Sequence, residues 1–444
     1  MKPPPPAPSI SDLSGGDPLR ELRLRQRAKT TPDDAYLHWD KLRHLRPPEG
    51  LTSEDWWLVL KLKRESNAIQ VPLLCAKNGR PLQLSRHARI DQALAEADRQ
   101  LAGTVATPQP VLEKDTRDRF VASSLMEEAI HSSLFEGAVS TREAAKDLLR
   151  SAREPINRDE RMIVNNFRAM ERLGELRKHP LTVDTVLELH RIITDGTLDD
   201  PGCAGRLQTP ADDRVEVYDR RINRTVHTPP PAEQLPERMQ RLVDFANAPD
   251  DNRGTYLHPV LRSILLHFQL AYDHPFADGN GRTARALFYW SMLRRGYWLT
   301  EFLSISRLLY ANRAPYERAY QLVESDEQDG TYFVLQQLEA LGEATTALYA
   351  YVAKKTAELR DFAKLLRQRN ELNHRQLALL HHALRKPDTT YTHESHANSH
   401  RVSIVSARAD LLGLVDLGYL RKARRGKRFL YAPVPNLGKL IKSR

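Results

Sequence analysis

The stretch His274-Pro275-Phe276-Ala277-Asp278-Gly279-Asn280-Gly281-Arg282-Thr283-Ala284-Arg285 separates two apolar runs of helical spacing. The first run ends near Tyr272 and the second begins around Arg282. Two glycines flanking an asparagine predict a turn whose backbone N–H groups converge, unpaired, at a helix N-terminus, which makes a nest for an anion. Gly281 can take a positive φ and lets a phosphate approach the backbone. Arg282 and Arg285 are three apart, so both reach the same anion. Asp278 beside it is placed to hold Mg2+ or Mn2+. His274, with an ordinary pKa of about 6.5, can take a proton from a hydroxyl at neutral pH. Together these are the parts of a phosphoryl- or nucleotidyl-transfer site.

Working outward, residues 119–133, 157–177, 182–194, 236–247, 259–272, 282–295 and 331–354 carry apolar side chains at three- and four-residue steps, which predicts a mainly α protein. Arg214 to Val226 breaks this habit by alternating polar and β-branched residues around Asp219–Asn223, the pattern of a β-hairpin. A lone hairpin on a helical body is poorly stabilised by itself, so it is expected to meet something. Residues 1–32, rich in Pro, Ser, Gly and Arg, read as a mobile or loosely docked arm. Residues 33–111 read as an extension of short helices and turns anchored by Trp39, Trp56 and Trp57, and 112–354 as the main helical domain. From 371 to 444, two helices (376–383 and 402–417) precede a basic hairpin, the outline of a winged helix-turn-helix.

The chain of 444 residues carries a formal net charge of +10. Residues 371–444 hold 14 Lys+Arg against 5 Asp+Glu, a net of +9, so the rest of the chain is close to neutral. Arg421, Lys422, Arg424, Arg425, Lys427 and Arg428 fall on or near the wing, suited to phosphate contact. Ser403, Ser406 and Arg408 are candidates to face DNA from the recognition helix, although such modules also bind proteins. Two cysteines exclude a disulfide framework and a cysteine zinc cluster. With no long apolar run and no apolar segment after Met1, the expectation is a cytoplasmic protein without a membrane partner. His393-Glu394-Ser395-His396 misses the zinc-protease spacing and reads as a polar turn, and His381-His382 as exposed helix residues.

The quoted stretch resembles the signature of the Fic family, H-x-F-x-[DE]-G-N-G-R-x-x-R, at every specified position, with similarity over roughly residues 112–341. The resemblance implies a helical Fic core with a β-hairpin flap and transfer of AMP from ATP to a Ser, Thr or Tyr hydroxyl of a protein. It implies His274 as general base, Asp278 as the Mg2+ ligand, and Gly279, Asn280, Gly281 and Arg282 around the phosphates, with Arg285 on the γ-phosphate. A related branch that phosphorylates has a Lys near the second glycine; Gly281 here favours AMP transfer.

Ser132-Ser133-Leu134-Phe135-Glu136-Gly137 is a helix end with Ser132 and Glu136 on one face. Glu136 opposes the helix dipole there, a mild conflict of the kind found where function overrides propensity. The segment resembles the Fic inhibitory motif [ST]-x-x-x-E-[GN], which implies that Glu136 pairs with Arg285 in place of the γ-phosphate. The family's flap corresponds to the hairpin, with Arg214, Val215, Glu216, Val217 and Tyr218 docking a target segment. Removal of AMP, a homodimer, and a DNA-binding regulator with a sensory or vestigial core all stay open at this point.

Overall fold

The computed structural model describes residues 3–14, 17–103, 114–219, 223–252, 255–365, 372–425 and 428–443. Within the Pro-rich beginning, read as a mobile or loosely docked arm, α1 (Ile10–Ser14) and α2 (Pro18–Thr30) are helical and lie against the helix Ser53–Ser66. Asp17 starts α2 by accepting the N–H groups of Leu19 and Arg20. After α3 (Trp39–Leu42), α4 (Ser53–Ser66) supplies Leu58, Val59 and Leu62, which bury Leu24 and Ala28 of α2. Arg20 pairs with Asp55 at 2.7 Å and the Trp57 indole donates to the Pro8 carbonyl at 2.9 Å. Composition hid this because α2 is mostly polar and only one narrow face is buried.

The extension also contains a hairpin that the short-helix reading lacked. β1 (Ala68–Cys75) pairs antiparallel with β2 (Pro81–Ser85) through a turn at Asn78-Gly79, where Gly79 has φ 81°. α5 (Ala88–Ala97) follows with Ile90, Leu94 and Ala97 on its buried face, as its spacing predicts.

The helical body is α6 (Lys114–Phe135), α7 (Arg142–Ser151), α8 (Arg158–Leu176) and α9 (Val183–Thr194), then a hairpin of β3 (Val217–Asp219) and β4 (Arg224–His227). α10 (Leu235–Asn247) and a two-rung hairpin, β5 (Asp251–Asn252) with β6 (Thr255–Tyr256), lead into α11 (Pro259–Asp273) and α12 (Asn280–Arg294). These two pack against each other at the centre of the main core, where Ile264, Leu265, Leu266, Leu287, Tyr289 and Trp290 are fully buried. Burying one such side chain is worth about 1.5–3 kcal/mol, which fixes the pair firmly. α13 (Ile305–Ala311), α14 (Arg313–Ser325) and the long α15 (Thr331–Leu365) close the body. Tyr316 and Tyr320 of α14 pack with Phe268 and Phe333 in an aromatic cluster.

α16 (His374–Arg385) opens the C-terminal unit with a capping box between Asn373 and Gln376. Residues expected as a polar turn form α17 (His393–His400), started by a second capping box from Thr392 and Ser395, with His396 and His400 buried. α18 (Ile404–Asp416) follows after a turn in which Arg401 has φ 51°. β7 (Leu420–Arg425) and β8 (Arg428–Pro433) form the basic hairpin, extended by a bridge between Tyr391 and Tyr431, and α19 (Leu437–Ser443) ends the unit. Buried Asp410 of α18 locks the helices: it accepts from Arg375 at 2.6 and 3.0 Å, Asn373 at 2.7 Å and His396 at 3.1 Å. α16 and α17 pack on α6, so the unit rests on the helix that leads to Glu136. His381 and His382 are half-buried, and His382 meets the Tyr391 hydroxyl at 2.8 Å. Among the described residues no helix is long and apolar enough to cross a membrane.

Candidate active site

α11 stops where Pro275 cannot continue it. Its cap is His274 itself, at φ 47°, with its N–H on the Leu270 carbonyl. The ring Nδ1 of His274 lies 3.3 Å from the Ala271 carbonyl, an acceptor, so Nδ1 carries the proton and Nε2 keeps its lone pair. Burial first, then the neighbouring His227 and Arg214, lower the His274 pKa to about 4, against the opposing effects of the Ala271 carbonyl and Glu136. The ring is therefore neutral at physiological pH and able to accept a proton.

The loop from Phe276 to Asn280 is clamped from within. Asn280 accepts the Phe276 N–H at 2.9 Å and donates to the Phe276 carbonyl at 2.8 Å. Its side-chain amide thus clamps the loop. Gly279 caps α12 at φ 84°, and a Cβ there would come within 2.8 Å of Thr194. Phe276 is buried and stacks on the buried ring of His190, with centroids 3.8 Å apart. His190 in turn faces the Asp278 carbonyl at 2.8 Å and accepts the Gly205 N–H at 2.9 Å. Nothing in the sequence around His190 marked it; only the fold brings α9 beneath the loop.

The first turn of α12 leaves backbone N–H groups without intrahelical acceptors, aimed at the space above Gly281. Arg282 is buried, donating to Asp278 at 3.2 Å and to the Ile193 carbonyl at 3.3 Å. Arg285, also buried, donates to Ser132 Oγ at 2.9 Å, to the Ser132 carbonyl at 3.2 Å and to Glu136 Oε1 at 2.8 Å. Among the described residues, Arg282 Nε and Arg285 Nη1 have no hydrogen-bond partner. Unspent donors on buried guanidinium groups are costly unless an anion meets them, which fits a polyphosphate. Glu136 fills part of this space: a Cβ on Gly281 would lie 2.2 Å from its Oε1. Arg313 donates to the Phe135 carbonyl at 3.1 Å, offsetting the dipole that Glu136 opposes.

For a divalent cation the loop offers Asp278, whose side chain is half exposed and which Arg158 of α8 also approaches at 3.9 Å. No cluster of three or more His, Cys, Asp or Glu side chains converges among the described residues. One carboxylate completed by phosphate oxygens and water is a donor set that suits Mg2+.

The flap is shorter than the alternating pattern predicts. Val217 and Tyr218 lie in β3, whereas Arg214, Val215 and Glu216 precede it. Tyr218 is exposed, and Glu216 accepts from Thr225 at 2.9 Å. Arg214 turns inward, donating to the carbonyls of Asp273 at 2.6 Å, His274 at 2.7 Å and Pro230 at 2.9 Å, so it is an anchor and not an edge. In the C-terminal unit Ser403, Arg408, Arg421, Lys422, Arg424 and Arg428 are exposed, and Ser406 is half-buried against Ser403. Lys422 lies 4.2 Å from the centre of the Phe429 ring. Arg425 pairs with Arg428 across the hairpin, and Lys427 lies outside the described residues.

A model of the Fic/DOC family matches residues 180–292, from the start of α9 through most of α12. This segment is a Fic domain. Over 117 residues the chain is 35% identical to the protein adenylyltransferase fic-1 of Caenorhabditis elegans, covering 26% of this chain and 20% of that protein. It is 34% identical over 121 residues to the protein adenylyltransferase Fic of Nematostella vectensis, covering 27% and 25% respectively. The chain thus spans about a fifth to a quarter of the length of these curated relatives. The solved structure of Fic-1 (residues 134–508) from C. elegans aligns with a TM-score of 0.49 at 20% identity, over 78% of this chain and 92% of that one.

Proposed function

We propose that the chain is an autoinhibited protein adenylyltransferase, moving AMP from ATP to a Ser, Thr or Tyr hydroxyl of a protein, itself included. One observation carries this reading. A histidine with a free Nε2 sits at the mouth of a helix N-terminus flanked by two buried guanidinium groups with unspent donors. Nε2 of His274 takes the hydroxyl proton as the oxygen bonds to the α-phosphorus; the bond to the β-phosphate bridging oxygen breaks, and pyrophosphate leaves. Arg282 and the amides of Gly279 and Gly281 neutralise the phosphates, and Arg285 holds the γ-phosphate. Bound Mg2+, held by Asp278, supplies further charge neutralisation of the polyphosphate. Catalysis is mostly positioning, since the α-phosphate must lie in line with the entering oxygen.

Glu136 is the brake. Its carboxylate occupies the Arg285 donors that the γ-phosphate needs, so ATP docks with its α-phosphate out of line. β3 offers an open strand edge beside His274, on which an extended target segment can add as a further strand. The reading is tested by intact mass after incubation with ATP and Mg2+: a Glu136→Gly chain gains one AMP, and a gain of one phosphate contradicts it.

A second activity is supported by the C-terminal unit, where a helix, a bridge strand, two helices and a basic hairpin follow the order of a winged helix-turn-helix. Arg408 of α18 and Lys422 of β7 both lie near His393, so recognition helix and wing share a face, and Ile404 and Val405 stand exposed there. This face suits duplex DNA. Fluorescence anisotropy with a labelled duplex tests it: affinity falls steeply with salt, and triple replacement of Arg421, Lys422 and Arg424 by Ala lowers it at least tenfold. Affinity unchanged by that replacement contradicts DNA binding by the wing.

A further inference from the structure

The last turn of α11 and the residues after it expose carbonyls that the helix cannot satisfy, and three of these five are met by the flap roots. The Ala271 carbonyl is met by His274 Nδ1, Tyr272 by His227 Nε2 at 2.7 Å, Asp273 and His274 by Arg214, and Pro275 by the Gln208 N–H at 2.9 Å. Arg214 stands just before β3 and His227 ends β4, so the two roots of one hairpin grip three consecutive carbonyls. Cations at a helix C-terminus are also favoured by its dipole. His227 is held from the far side, where its Nδ1 meets the Glu324 carboxylate. Next to it, Lys77 donates to the Thr228 carbonyl at 3.2 Å, and buried Asp273 is paired with Arg238 at 2.6 Å.

We propose that Arg214 and His227 are positioning residues that fix His274 in its left-handed backbone conformation and with its free Nε2 facing outward, tying the seating of a target on the flap to the state of the base. The inference rests on the AMP-transfer reading for its purpose but not for its geometry. The charged groups facing His274 are Arg214 and His227 on one side and Glu136 on the other; Glu324, Asp273, Arg238 and Lys77 surround the two roots. Without Arg214 or the His227 ring, His274 loses a neighbour that disfavours its protonated form, and its proton affinity rises.

The test uses the full chain labelled with 13C at histidine, with the His274 resonance assigned by its loss in His274→Ala. Arg214→Met and His227→Asn are each expected to raise the proton affinity of His274 at least threefold, while Arg214→Lys stays within twofold of the parent. In a Glu136→Gly background the same two variants are expected to lower kcat at least fivefold with the KM for ATP changed less than twofold. If Arg214→Met fails to fold, His227→Asn and Arg214→Lys carry the comparison. A His274 titration unmoved in folded His227→Asn, with kcat unchanged, overturns the proposal. If no variant transfers AMP, the functional reading fails, and the titration still decides the positioning role.

Discussion

Arg285 and Glu136 meet at 2.8 Å, with Ser132 holding the same guanidinium through its hydroxyl and its carbonyl. The three residues join the end of α6 to the second turn of α12 across a buried space, and Arg285 Nη1 still lacks a partner there. On the proposed reading, this guanidinium exchanges the glutamate for a phosphate. Glu136→Gly is expected to raise self-labelling by ATP at least tenfold. Ser132→Ala, which loosens Arg285 without removing the carboxylate, is expected to raise it less; equal labelling in wild type and Glu136→Gly contradicts the brake.

Asn280 clamps the loop, so its loss should register as stability and not only as activity. Asn280→Ala leaves both the N–H and the carbonyl of buried Phe276 without partners, at a cost of about 2–4 kcal/mol. Thermal unfolding should show a clear drop in Tm for Asn280→Ala and almost none for Asp199→Ala, whose side chain is exposed. Equal drops in the two variants would argue against the clamp.

Stability should fall in mild acid for a traceable reason. Burial holds His267 down to about 3 and His190 to about 4. Their unfolded value is about 6.5, so between the two the unfolded chain binds more protons than the folded one. Stability is full above about pH 6.5 and is lost as pH falls towards 4, by about 1.4 kcal/mol per pH unit for each such group. His267→Gln is expected to flatten the decline of Tm between pH 6.5 and 5, and a slope identical to the parent would contradict this account.

Gly281 leaves no room for a side chain while the brake is in place, because a Cβ would lie 2.2 Å from Glu136 and 3.1 Å from Arg285. Gly281→Ala is expected to displace the carboxylate and to narrow the phosphate cradle at the same time. Binding of ATP, read by calorimetry, should weaken at least tenfold even in the Glu136→Gly background. Unchanged binding would place the phosphates elsewhere.

The catalytic loop was legible because its parts lie within a dozen residues and each has a chemical reason for its place. Ser132 and Glu136 were legible through the conflict of a glutamate at a helix end. Residues that act through space were not. His190 sits on a regular amphipathic helix, where its spacing matches any core position, and His227 closes a hairpin that reads as surface. Arg214 was read as part of a docking edge because alternation places it in the strand; the unsatisfied carbonyls of 273 and 274 draw it inward instead. α17 was missed because a run of His, Ser and Asn has low helix propensity, which its capping box and the packing of α17 on α6 and α7 override.

On the proposed reading, His274 directs a target hydroxyl at the α-phosphate of ATP, and Glu136 restrains the transfer. The most direct measurement compares protein-bound label from ATP carrying its radiolabel on the α- or on the γ-phosphate, in wild type, Glu136→Gly and Glu136→Gly/His274→Ala. Label is expected from the α-position only: weak in wild type, high in Glu136→Gly and absent in the double variant. Label retained from the γ-phosphate, or surviving the loss of His274, would contradict it.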